Sequence, residues 1–227
     1  MIRLACDVSD KDAIAELAEA IKDRETHLDV LISNAGIRRD PPVPCDVLTA
    51  SLPELQASMW SSRHSDWADT FCVNTTAHYF LSVALLPLLA AASQIDLGDG
   101  LLGRDVGRGA IVMTSSCASM HNATNVDLTS YATSKAATDH LVKLLAAKFN
   151  RFYVRVVGIN PGCKQCYHLI VHQTNSVDSR SKQHESSWRG WKYVQLSFRS
   201  RSSQARRESG RHRRSCHLPH QSSRCTS

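Results

Sequence analysis

The sequence predicts an α/β fold built on a doubly wound parallel sheet, and two observations carry that expectation. Short apolar runs alternate with amphipathic stretches of helical spacing from residue 2 to about residue 159. Past Gly162 the alternation stops, and the charge changes with it. Residues 1 to 163 hold 14 Lys+Arg against 18 Asp+Glu, a net of −4, whereas residues 164 to 227 hold 13 against 3, a net of +10. The overall +6 therefore describes neither part. A chain of 227 residues is long enough for one α/β domain with a sizeable core.

Residues 2 to 8 (IRLACDV) suit a short buried strand, and Ser9 with Asp12 three residues on makes a helix cap. A helix follows, because Ile14, Leu17, Ala18 and Ile21 recur on one helical face. Residues 28 to 33 (LDVLIS) form the next strand, which ends at Asn34-Ala35-Gly36, and strand, helix, strand in that order implies a parallel pair. Residues 37 to 65 are rich in Pro, Ser and charge and predict a long loop with a helical turn near Leu52 to Trp60. Long loops at the carboxyl end of a parallel strand are usual places for substrate contact. A long helix is expected from about Trp67 to Ser93, a glycine-rich turn region over 94 to 109, and a buried strand over 110 to 116 (AIVMTSS). A helix over 131 to 149 and a strand over 152 to 159 (FYVRVVGI) complete the domain.

Two segments bear on location. MIRLACDVSD has acids at Asp7 and Asp10 and no apolar core behind them, which does not fit a secretory signal. The most apolar stretch, Tyr79 to Ala92, is roughly 14 residues, contains Pro87 and falls short of the ~20 that a bilayer needs. It reads as a buried helix, and the chain is expected to be cytoplasmic, with no membrane partner. The cysteines lack the spaced pairs of a zinc ribbon and the density of a disulfide scaffold, so reduced thiols and no metal are expected. Cys163 and Cys166 form a CxxC, but without a second pair it points to no metal. The tail from Lys164, with 14 serines and six histidines, is too polar to bury a core and is expected to be disordered.

The chemistry-bearing signal is Tyr131-Ala-Thr-Ser-Lys135 at the start of a helix, preceded by Ser116 at the end of a buried strand. The i, i+4 spacing puts Tyr131 and Lys135 on one face, where an ammonium favours the phenolate that proton exchange near neutral pH requires. Ser116 is then placed to polarise a substrate carbonyl. Alone, YxxxK is common, and a half-buried ring beside a solvated amine explains most occurrences. Asn34 alone suits a strand-ending turn, Asn74 a buried helix amide and Asp7 an ordinary turn.

Taken in order, these residues resemble the short-chain dehydrogenase/reductase family over Cys6 to Gly162. Cys6-Asp7-Val8 is similar to the strand end whose aspartate contacts adenine, and Ser33-Asn34-Ala35-Gly36 to the NNAG turn that stabilises the sheet and approaches the cofactor. Val73-Asn74 matches the catalytic asparagine, Thr114-Ser115-Ser116 the serine strand, Tyr131 to Lys135 the catalytic pair, and Asn160-Pro161-Gly162 the turn near the nicotinamide. The resemblance implies a Rossmann-like sheet and NAD or NADP as cofactor. It implies hydride exchange between nicotinamide and a carbonyl or alcohol of ketone, steroid or 3-oxoacyl type, and homo-oligomers through the helices that hold Asn74 and Tyr131. Tyr131 would be general acid/base, Lys135 would bind the ribose and support the tyrosine, Ser116 would orient substrate and Asn74 would complete a proton relay.

The family pattern is also departed from. Its phosphate-binding glycine turn lies upstream of Asp7, so the domain is expected to be incomplete and its activity in this chain doubtful. Gly98-Asp-Gly100-Leu-Leu-Gly103 fits GxGxxG but precedes a strand, carries Asp99 and is read as a decoy. Ser116 stands two residues further from Tyr131 than is usual, which leaves Ser115 or Ser119 as alternatives. Lys164-Gln165-Cys166 follow Gly162 where the family has a nicotinamide-gripping Thr. Two other readings compete: an inactive fragment, and a non-catalytic protein whose basic tail engages nucleic acid by charge, which is disfavoured because the tail has no aromatic interleaving beyond Trp188, Trp191, Tyr193 and Phe198 and no recognised domain pattern.

Overall fold

The computed structural model of the chain describes residues 3 to 121 and 124 to 162, and the backbone of residues 193 to 195. Helix α1 spans Lys11–Lys22 and buries Ile14, Leu17, Ala18 and Ile21, the face its periodicity predicts. Its cap differs from expectation: Asp10 accepts from the Asp12 and Ala13 amides, while the Ser9 hydroxyl turns back onto Asp7. A carboxylate at that position complements the helix dipole as well as satisfying two free amides, which a serine cannot match. The strand expected over 2 to 8 is a single bridge at Cys6, with Cys6 and Val8 buried and Ile2 outside the described residues.

Strand β1 is Val30–Ser33, with Leu31 and Ser33 buried. The loop after it is more helical than its composition suggests. Helix α2 (Leu52–Trp60) starts where the Glu54 carboxylate accepts from the Ser51 amide and hydroxyl. Helix α3 (His64–Phe71) begins before the expected Trp67 and runs into a π turn, Cys72–Thr76, in which the Ala77 amide reaches the Cys72 carbonyl five residues back. Helices α4 (Ala77–Ala84) and α5 (Leu86–Ser93) follow, parted at Leu85 because Pro87 has no amide hydrogen to continue the ladder. The run His64–Ser93 is long and apolar enough by length and composition to cross a membrane. Here its apolar side chains Val73, Ala77, Leu81, Leu85, Leu88 and Leu89 are core residues, packed with α1 and the sheet.

Strands β2 (Asp96–Gly98) and β3 (Leu101–Leu102) make an antiparallel hairpin, followed by a 3-10 turn over Gly103–Val106. Strand β4 (Ala110–Thr114), helix α6 (Thr129–Phe149) and strand β5 (Arg155–Ile159) close the domain in the expected order, but β4 stops before Ser116, which caps a short 3-10 turn Cys117–Met120, and β5 starts three residues late because Asn150–Phe152 form a 3-10 turn. Of the tail, only strand β6, Tyr193–Gln195, is described; the expected disorder of the rest, and Cys163 and Cys166, lie outside the described residues. The sheet order is β5-β4-β1-β6, parallel throughout. Leu31, Ile111 and Met113 are fully buried between sheet and helices, each contributing roughly 1.5–3 kcal/mol by leaving water.

Candidate active site

The register of the sheet decides where the motifs meet. Ser33 pairs with Met113, and Thr114 with Ile159, so β1, β4 and β5 end on one rim. From that rim emerge Asn34-Ala35-Gly36, Ser115-Ser116 and Asn160-Pro161-Gly162. The Cys117 amide donates to the Pro161 carbonyl at 3.0 Å, which holds the second and third of these together.

Helix α6 locks onto β4 in both directions. The Lys135 ammonium donates to the Thr114 carbonyl at 2.7 Å, and the Ser115 hydroxyl donates to the Lys135 carbonyl at 3.0 Å. Lys135 is 3% exposed, and burial pulls its pKa down to about 8 against an opposing pull from Asp139. At neutral pH the ammonium form still predominates. Its Nζ lies 5.9 Å from the Tyr131 ring centroid, and Tyr131 itself is half-buried.

Asn74 sits in the π turn with no exposed surface. Its Oδ1 accepts from the Ile37 amide at 2.8 Å, and its Nδ2 donates to the Ile37 carbonyl and to Ser134 Oγ, both at 2.9 Å. The Thr138 hydroxyl donates to the Asn74 carbonyl, so α6 grips the widened turn from the other side. A π turn inside a helix is a frequent mark of a functional position. One turn on, the buried His78 imidazole shares a 2.5 Å hydrogen bond between Nδ1 and Ser33 Oγ. Asn74 and His78 thus hold both ends of the Ser33–Ile37 segment. A Cβ on Gly36 would stand 3.4 Å from Asn74 Oδ1 and from Lys135 Nζ, so this glycine leaves open the space in front of the amine.

The serines sort themselves by what their protons do. Ser115 spends its hydroxyl proton on the Lys135 carbonyl and Ser119 on the Ser116 carbonyl. Ser116 Oγ accepts from the Ala118 amide, and among the described residues its own proton has no acceptor. Asp7 Oδ1 accepts from the Ser9 amide and hydroxyl, and the Cys72 thiol donates to the Ser9 carbonyl, which sets the Asp7-Val8 turn against the start of the π turn.

Residues 1–169 match the family model described as short chain dehydrogenase. The chain belongs to the short-chain dehydrogenase family. The chain is 32% identical over 164 residues to the short-chain dehydrogenase/reductase PhomF of Diaporthe leptostromiformis, covering 71% of this chain and 52% of the relative. It is 25% identical over 179 residues to the 7alpha-hydroxysteroid dehydrogenase of Escherichia coli K12, covering 79% and 57%. The chain thus spans about half the length of these relatives. Among solved structures, the NADPH-bound carbonyl reductase from chicken fatty liver superposes with a TM-score of 0.53 at 26% identity, covering 69% of this chain and 56% of that one. The Pseudomonas aeruginosa RhlG/NADP complex, at 22% identity and TM-score 0.54 over 74% and 56%, shares the Rossmann-like fold.

The short-chain dehydrogenase motifs account for Asn74, Ser116, Tyr131 and Lys135 by type and order, but not for their supports. His78, Ser134, Thr138 and Asp139 carry no sequence signal beyond lying one turn from a motif residue.

Proposed function

We propose that this chain is the catalytic part of an NAD(P)-dependent oxidoreductase acting on a small carbonyl or alcohol of ketone, steroid or 3-oxoacyl type. The observation that carries the reading is the junction of Lys135, Asn74 and Gly36 beside Tyr131, with Ser116 a serine whose proton has no acceptor among the described residues. These residues fit the ribose and nicotinamide half of the nucleotide. Lys135 presents an ammonium at the floor of the space that Gly36 keeps clear, and Pro161 and Gly162 flank it as an exposed turn. The pyrophosphate half finds no glycine turn at a helix start among the described residues; Asp7 and Val8 are left on the adenine side, and the Asn34-Ala35-Gly36 turn approaches the cofactor.

The nucleotide would supply the hydride that adds to the carbonyl carbon. Ser116 donates its hydrogen bond to the carbonyl oxygen, polarising it. Tyr131 Oη gives that oxygen its proton as the C–H bond forms, and the Lys135 charge stabilises the phenolate left behind. Asn74 holds the Ile37 carbonyl so that a water can return a proton toward Lys135 and Tyr131. Solvent-exposed Tyr79 and Val83 on α4 and Leu144 on α6 support self-association through these helices.

Titrating the folded chain with NADH and NADPH by nicotinamide fluorescence tests the first half, with saturation expected. Tyr131→Phe then should keep nucleotide affinity while lowering turnover of a carbonyl panel by ~10²-fold or more. A folded chain that binds neither nucleotide would leave it an inactive member of the family, and turnover undiminished in the Phe variant would remove Tyr131 as the acid.

A further inference from the structure

We propose that Asp139 is a positioning residue of this site: through the Asn160 side-chain amide it ties the Pro161-Gly162 turn and the Ser116 loop to α6, and its negative charge supports the Lys135 ammonium one helical turn earlier. The proposal rests in part on the functional reading above, which assigns the turn and the lysine to the site.

The geometry starts from Asn160, the residue that follows β5. Its Nδ2 stands 3.1 Å from both carboxylate oxygens of Asp139, 3.1 Å from the Ser116 carbonyl and 3.1 Å from Ser119 Oγ. An amide nitrogen has two protons and no lone pair to offer, and four acceptors around it fix which way the amide faces. One proton is shared by the carboxylate and the other by the Ser116 carbonyl and Ser119 Oγ. Ser119 can accept because its own proton goes to the Ser116 carbonyl at 2.8 Å.

Three segments that are distant in sequence are therefore pinned by one amide. The backbone bonds Ser115 N–H to Ile159 and Cys117 N–H to Pro161 already join the β4 and β5 ends to each other. Of the two, the β4 end is already held to α6, which carries Tyr131 and Lys135, by the Lys135–Thr114 and Ser115–Lys135 bonds, whereas these backbone bonds alone tie the β5 end to that helix only through β4. The Asp139–Asn160 bond links the β5 end and its turn to that helix directly. A charged acceptor makes it about twice as strong as a neutral amide bond.

The second role follows from what surrounds Lys135. From α4 the buried, uncharged His78 faces it; from its own helix come Tyr131 and Asp139; β4 offers the Thr114 carbonyl and the Ser33–Ile37 segment offers Gly36. Among these Asp139 is the counter-charge that opposes the cost of burying the ammonium. One carboxylate thus serves two ends: it holds the substrate-side loops in place and keeps the proton on the lysine.

Asp139→Asn separates these roles, since its amide oxygen still accepts from Asn160 while the charge is gone. In the full chain, the pH titration of the Lys135 13Cε resonance, assigned with Lys135→Arg, should have its midpoint moved downward by roughly half a unit or more. Asp139→Glu should restore it. The measurement needs neither nucleotide nor turnover, so it decides on Asp139 even if the chain binds no NAD(P)H. A midpoint unmoved in a folded Asp139→Asn chain overturns the electrostatic role. In the unsubstituted chain the Asn160 side-chain amide protons should exchange slowly with solvent, and exchange at the rate of an exposed asparagine overturns the tie, whether or not any variant folds. With turnover in hand, Asp139→Leu should lower kcat and shift its pH profile, beyond any effect on KM for the nucleotide.

Discussion

A histidine with no exposed surface folds without its proton. His78 is that residue: burial, and then the nearby Lys135 charge, lower its pKa from 6.5 to about 3. Between those values the unfolded chain holds a proton that the folded chain refuses. Stability from this group is complete above pH 6.5 and is lost as pH falls toward 3, at about 1.4 kcal/mol per unit. His78→Gln removes the titration and can keep the hydrogen bond to Ser33. Urea unfolding at pH 7 and pH 4.5 should show the parent chain losing about 3 kcal/mol more than the variant over that interval. Equal losses would mean that His78 is not the acid-sensitive group. The candidate residues Tyr131 and Lys135 could be singled out at this scale by type and i, i+4 spacing, and the fold brings the Lys135 amine to 5.9 Å from the Tyr131 ring. His78 could not be singled out, because a helix-interior histidine gives no hint of whether it meets water, metal or a strand-end hydroxyl.

At the scale of elements, apolar periodicity placed α1, which buries Ile14, Leu17, Ala18 and Ile21, and short apolar runs marked β4 and β5, whereas α6 buries Ser134, Lys135 and Thr138 beside Leu145 and Phe149. What periodicity could not show is where a helix changes pitch. The run from His64 to Ser93 has a continuous apolar stripe, yet contains a π turn at Asn74 and a break before Pro87. The proline was visible in the sequence, whereas the π turn answers to α6 gripping it through Thr138 and Ser134, a tertiary cause. The glycines at 98, 100 and 103 likewise turn out to serve a hairpin. Gly98 and Gly100 have positive φ and open space around them, while Gly103 lies against α5. A Cβ on Gly103 would fall 2.0 Å from the Ala92 carbonyl oxygen, so the backbone of one element must move. Gly103→Ala should cost ~1–3 kcal/mol in denaturant unfolding, and Gly100→Ala only the smaller penalty of its left-handed backbone. Equal costs at both positions would refute the close packing.

For the whole molecule the decisive question is what makes β1 an interior strand, because β1 delivers Ser33 and the turn that Asn74 and His78 hold. On one side it pairs with β4; on the other it pairs, in parallel, with Tyr193–Gln195, where Val30 meets Tyr193 and Ile32 meets Gln195. The far edge of the sheet is β5, which leaves Val157 and Ile159 exposed. Charge gave no warning of this, since a segment with a net of +10 shows too little apolar pattern to single out three residues as a strand. An uncovered β1 edge would present a row of free amides and carbonyls next to the site and invite pairing with other chains. Proline has no amide hydrogen, so a Val194→Pro/Gln195→Pro pair removes donors of both parities from β6 while leaving the domain sequence intact. Hydrogen exchange should then quicken at the Val30–Ile32 amides, and light scattering should show association that grows with concentration. Protection of β1 unchanged by the two prolines would mean that β6 is not what covers that edge, and that the strand feeding the site is held by β4 and the helices alone.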